Sequence, residues 1–138
     1  HAKGVKAGIA LKPSTPLSTV EYVLDKCDSV LLMLINPGYA FLKGEKQVAY
    51  ADRKIRQLRQ MINERGLDTK IELDGRISLD NIRTYGKDLA DVFVTGTTCL
   101  DRNDLLGSFP QGNIMILVKR KRLKIIKRGN KNDIQRGL

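Results

Sequence analysis

Ser29-Val30-Leu31-Leu32-Met33-Leu34-Ile35 decides the fold. The run is short, almost continuously apolar and carries no charge. A segment of that kind reads as a strand covered on both faces, which points to a parallel sheet. It ends at Asn36-Pro37-Gly38, a tight turn that Pro and Gly explain. Working outward, three more runs have strand character: Ala7-Gly8-Ile9-Ala10-Leu11, Lys70-Ile71-Glu72-Leu73 and Asp91-Val92-Phe93-Val94-Thr95.

Helical patterns separate these runs. Leu17 to Leu24 follows Pro16, with Thr15 as its expected cap. Tyr50 to Arg65 has Ile55, Leu58, Met61 and Ile62 on one face and stops at Gly66, a residue suited to a helix C-terminus. Ser78 to Tyr85 is a shorter helix begun by Ser78. Strand and helix alternate, so the class is α/β with right-handed crossovers. About four βα units suit either a small open sheet or half of a (β/α)8 barrel of about 250 residues.

Composition narrows the function classes. Apolar residues are 41% of the 138, enough for one domain with a real core. No run approaches the length of a membrane span, and the N-terminus has no signal-peptide apolar core. The first residue is His1 rather than Met, as expected of a chain that continues a longer reading frame or follows processing. The net charge of +10 invites a nucleic-acid reading. Yet residues 119–138 carry nine Lys/Arg against one Asp, and residues 1–118 sixteen against fourteen acids. The basicity belongs to the tail, and aromatics are only 5% with no Trp, which argues against a nucleic-acid partner. Cys27 and Cys99 lack metal-ligand spacing and read as reduced thiols of a cytoplasmic protein.

Chemistry in α/β proteins gathers at the carboxyl ends of the strands. Asp74 sits where the third strand should end, placed for a general base or a metal ligand; Asp74-Gly75 is equally ordinary turn chemistry. Gly96-Thr97-Thr98 follows the fourth run. Its glycine permits backbone approach to an anion and its Thr adds a donor, although a plain turn with a helix cap gives the same letters.

Taken in order, the four strand ends resemble the second half of the ribulose-phosphate 3-epimerase family. Gly8-Ile9-Ala10-Leu11-Lys12-Pro13-Ser14-Thr15 is similar to the fifth-strand motif, and Leu32-Met33-Leu34-Ile35-Asn36-Pro37-Gly38-Tyr39 to the sixth. Ile71-Glu72-Leu73-Asp74-Gly75 is similar to the seventh, and Ala90-Asp91-Val92-Phe93-Val94-Thr95-Gly96-Thr97 to the eighth. The resemblance covers roughly residues 1–100 and implies the C-terminal half of a (β/α)8 barrel over residues 1–118, with a basic helix or tail at 119–138. It implies metal-assisted epimerisation at C3 of a ketose phosphate, ribulose 5-phosphate to xylulose 5-phosphate or a related sugar. Asp74 then matches the aspartate that is both acid/base and metal ligand. Gly38, Gly75, Arg76, Gly96 and Thr97 fall at phosphate-binding positions, and Met33 at a pocket-lining one. The implied cofactor is a divalent metal (Zn, Fe, Mn or Co) held by two His and two Asp.

The departures are as informative. His1 is the sole histidine and falls outside the motifs, so the four-ligand metal set is incomplete and the chain alone is expected to be inactive. Tyr39-Ala40-Phe41-Leu42 replaces the Gly and Gln of the sixth-strand loop, and Arg76 replaces the second glycine after Asp74. An altered phosphate site follows, in which Arg76 either pairs with phosphate or obstructs close backbone approach. A half-barrel exposes sheet edges, so a homo-oligomer or the missing N-terminal half is expected to cover them, with a non-catalytic sugar-phosphate-binding half-barrel or interaction module as the alternative. The run Ile114 to Val118, followed by Lys119-Arg120-Lys121-Arg122, is expected to form the last barrel helix.

Overall fold

The computed structural model describes residues 3–39 and 41–96, together with the backbone of 115–118 and 124–127. Its strands are β1 (Gly8–Leu11), β2 (Ser29–Met33), β3 (Lys70–Asp74), β4 (Val92–Thr95), β5 (Met115–Val118) and β6 (Lys124–Lys127). Its helices are α1 (Ala51–Glu64) and α2 (Leu79–Tyr85). The sheet order is β1-β2-β3-β4-β5-β6, parallel throughout except for the antiparallel β5–β6 pair. A doubly wound sheet reverses its strand order at a switch point. Here every strand lies beside the next in sequence, the order of a (β/α)8 barrel.

One layer of helix covers one face. On α1, Ala51, Ile55, Leu58 and Ile62 are buried, spaced to fall on a single stripe. They join Val30, Leu32, Ile71, Leu73 and Phe93 in one core cluster. Each fully buried Leu, Ile or Phe contributes about 1.5–3 kcal/mol. Helix α1 ends in a Schellman motif: Gly66, at φ +61, donates to Asn63 O at 3.0 Å, and Leu67 donates to Ile62 O at 3.0 Å. Helix α2 starts from Ser78, whose hydroxyl accepts from Asn81 N while the Asn81 side chain accepts from Ser78 N.

The opposite face is less covered than an all-apolar strand suggests. Leu31 and Met33 alternate with the buried residues of β2 and are only half-buried. Glu72 and Asp74 do the same on β3. Strand register lines Ala10, Leu31, Glu72 and Val92 into one row, and Met33, Asp74 and Val94 into the next. In a closed barrel these rows face the interior.

At the amino ends of the strands a device recurs. Asp28 precedes β2, and Asp91 precedes β4. Asp28 donates its N–H to Ala7 O at 2.8 Å, and its carboxylate accepts Ala7 N–H at 2.6 Å. Asp91 donates to Ile71 O at 2.9 Å and accepts Ile71 N–H at 2.9 Å. Each aspartate thus grips one residue of the preceding strand segment at both backbone groups, its N–H on the carbonyl and its carboxylate on the N–H, which fixes register. Asp91 also holds Arg59 of α1 at 2.6 Å.

Two expected helices are corrected. Leu17 to Leu24 forms two 3-10 stretches, Leu17–Val20 and Leu24–Lys26, and no side chain caps the first at Pro16. The segment is rich in β-branched residues and too short to offset helix nucleation. Thr19 Oγ1 donates to Pro16 O at 2.7 Å instead of packing on a helix face. Met115–Val118 is a strand, and Lys124–Lys127 returns beside it, where the sequence suggested a final helix. Clustered Ile, Leu and Val favour the pleated geometry, and β4 offers a partner.

Cys27 packs in the core, its Sγ donating to Val23 O at 3.3 Å, and burial pushes its thiol above the usual range. Because the thiolate is the reactive form, native Cys27 in a Cys99→Ser background is expected to resist iodoacetamide at pH 8 and to label on unfolding. Mass spectrometry of the alkylated chain checks this.

Candidate functional site

The carboxyl ends of β1 to β4 carry the residues singled out from sequence. Asp74 closes β3, half-buried, in the row it shares with Met33 and Val94. Its main-chain carbonyl accepts from Leu34 N–H at 2.7 Å, which prolongs the β2–β3 ladder beyond Met33. Alternation along the pleat then sends the Asp74 side chain to the face opposite the α1 core.

Gly75 follows at φ +114, buried. A Cβ there would lie 2.9 Å from Ile35 N and 3.0 Å from Ile35 Cγ1, so backbone packs directly on backbone. Arg76 also takes a positive φ, +47, uncommon for a residue with a side chain. Its Nη2 donates to Leu42 O in the loop between β2 and α1. Gly38 occupies φ +87 after Pro37, with Tyr39 N donating to Asn36 O at 3.3 Å. That is the type II turn such a Pro-Gly pair favours. Among the described residues nothing lies within 4 Å of a Cβ at Gly38 or Gly96, so they crowd neither position. Thr97 and Cys99 lie outside the described residues.

Three supporting side chains escaped the sequence reading. Gln47 Nε2 donates its two N–H groups to Gly75 O at 2.8 Å and Asn81 Oδ1 at 2.9 Å, with Arg76 O at 3.2 Å sharing one of them. Asn81 therefore serves both the capping of α2 and the Gln47 contact. Lys54, in the first turn of α1, donates to the carbonyls of Lys12 at 3.0 Å, Pro13 at 2.8 Å and Thr15 at 2.6 Å. It clasps the loop after β1, and burial holds its ammonium below the usual lysine range. No local motif marks Gln47 or Lys54, because both act across a distance in sequence. Only the Ser78–Asn81 spacing offered a signal.

Among the described residues no group of three or more His, Cys, Asp and Glu side chains is placed to hold an ion. Asp74 is the one expected ligand among them, so these residues do not make the full metal site. No described helix is long and apolar enough to cross a membrane.

Sequentially ordered parallel strands, with a carboxylate and glycine loops gathered at their carboxyl ends, are the α/β pattern of part of a (β/α)8 barrel, the class whose chemistry sits on that face. Residues 1–100 match the model of the ribulose-phosphate 3-epimerase family, and the chain belongs to that family. It is 40% identical over 101 residues to the ribulose-phosphate 3-epimerase of Escherichia coli K12, covering 73% of this chain and 44% of that protein. It is 45% identical over 94 residues to the Synechocystis enzyme of that name, covering 68% and 40%. With the Methanocaldococcus jannaschii enzyme it shares 38% identity over 102 residues, 74% and 42% of the two lengths. The chain therefore spans under half the length of these relatives.

Proposed function

We propose that this chain supplies the acid–base aspartate and the phosphate loops of a ribulose-phosphate 3-epimerase. The observation that supports it is the position of Asp74: last in β3, on the face away from the core, level with Met33 and Val94. The substrate in this reading is ribulose 5-phosphate. A carboxylate at that position takes the C3 proton, which is acidic because C2 is a carbonyl, and leaves an enediolate. Return of a proton to the opposite face completes the inversion and needs a second acid. Gly38, Gly75, Arg76, Gly96 and Thr97 would hold the phosphate, with Arg76 giving a charged contact where a glycine would give a backbone one. Met33 would line the pocket. Asp74 would be one ligand of a divalent metal, whose role when bound is to stabilise enediolate charge. In this reading the protein is cytoplasmic, and the first half of the barrel, on the same polypeptide or from a partner, completes the site.

A second reading is a half-barrel that binds the sugar phosphate without turning it over. Deuterium exchange at C3 of ribulose 5-phosphate separates the two. It is to be followed by NMR with added Mn or Zn, for the chain alone and mixed with the amino-terminal part of the Escherichia coli enzyme. Asp74→Asn is expected to slow exchange in the mixture by about 10²–10⁴-fold. Binding without exchange would favour the second reading, and neither binding nor exchange would overturn both.

A further inference from the structure

Gln47 stands in the loop between β2 and α1, yet every hydrogen bond described for its amide nitrogen goes to the loop and helix after β3. Two of the acceptors are consecutive carbonyls, Gly75 O at 2.8 Å and Arg76 O at 3.2 Å. A peptide unit is planar and trans, so its C=O and N–H point in opposite directions. Drawing both carbonyls toward Gln47 therefore turns the N–H groups of Arg76 and Ile77 to the far side. The third acceptor, Asn81 Oδ1 at 2.9 Å, also accepts from Ser78 N, so the same amide fixes where α2 begins relative to the loop. The stretch being held is conformationally costly. Gly75 is at φ +114 and Arg76 at φ +47, and a non-glycine residue in that region persists only where its surroundings hold it. Arg76 adds a return contact from its guanidinium to Leu42 O.

We infer that Gln47 is the positioning residue of the Asp74–Ile77 loop: its amide sets two successive peptide planes, and with them the aim of the loop's N–H groups and of the Arg76 side chain. The inference rests on the reading of this loop as a phosphate site. It adds a residue outside the strand-end motifs, on a different loop, as the determinant of that site's geometry.

The test uses the full chain, uniformly ¹⁵N-labelled, with inorganic phosphate as the probe. In the wild-type protein, phosphate is expected to move the amide signals of Gly75, Arg76 and Ile77. Gln47→Met removes the donor at similar length. It is expected to displace those three signals before any phosphate is added, to weaken phosphate binding about tenfold, and to leave the β2 and α1 amides in place. Gln47→Lys, whose ammonium can donate to the same oxygens, is expected to restore the wild-type positions of the three amides. Should Gln47→Met leave both the amide positions and the affinity as in the wild type, the inference is overturned. The same holds if Gln47→Lys displaces the loop as far as Met does, which also decides the matter if the Met variant does not fold. A wild-type chain indifferent to phosphate would instead overturn the phosphate reading, and the phosphate-free amide positions would still decide for or against Gln47.

Discussion

Gly75→Ala is expected to destabilise the protein by about 2–5 kcal/mol and to disrupt the loop that follows Asp74. Two costs combine. The backbone sits at φ +114, where an L side chain is strained, and the new Cβ would meet Ile35 N at 2.9 Å and Leu34 N at 3.2 Å. Neither neighbour can yield cheaply, because both are main-chain atoms of the segment that pairs with Asp74. Gly38→Ala is the control. Its φ of +87 is also positive, but no atom of the described residues lies within 4 Å of the added Cβ, so the conformational cost of about 1–2 kcal/mol is the one expected. Urea denaturation of the two variants separates close approach from backbone strain. Equal losses would mean that the contact with Ile35 contributes nothing.

Asp91→Ala is the second large effect, about 3 kcal/mol or more. The carboxylate accepts from Arg59 Nη2 at 2.6 Å and from Ile71 N at 2.9 Å, and Lys70 Nζ lies 3.7 Å away. Arg59 keeps only 17% of its side-chain exposure, and Ile71 none of its residue exposure. Removing the acceptor strands a largely buried cation and a buried amide together. The equivalent Asp28→Ala change exposes the Ala7 N–H to solvent, which can satisfy it, and about 1 kcal/mol is expected. Thermal denaturation of both variants at one pH checks the ranking. A loss at Asp28 as large as at Asp91 would show that burial of the partners is not what sets the cost.

The strands and α1 were legible because their signals are local. The β2 run, the stripe Ile55–Leu58–Ile62 and the glycine stop at Gly66 each fall within a few turns of chain, and each settled one element. The Leu17–Leu24 segment misled because its apolar spacing suits a helix while Ser18, Thr19, Val20 and Val23 disfavour one. Periodicity alone does not weigh that conflict. The stretch Met115–Val118 misled for a different reason: its state follows from pairing with β4, a contact the sequence does not announce. At the site, Asp74 and Gly75 were visible as a motif at a strand end. Gln47 and Lys54 were not, since their partners lie 28 to 42 residues away and are mostly backbone carbonyls, which carry no sequence signature.

The paired aspartates at the amino ends of β2 and β4 bear on how such a chain can diverge. They settle strand alignment at one end of the sheet, with Asp28 and Asp91 each holding its neighbour by two bonds. For those two strand pairs alignment has a hold at the amino end that does not pass through the loops at the other. Changes at the opposite rim, at Arg76 or in the loop after Gly38, leave the bonds of Asp28 and Asp91 in place. Novelty in substrate preference can accumulate there by small steps, each tried on a frame that still folds.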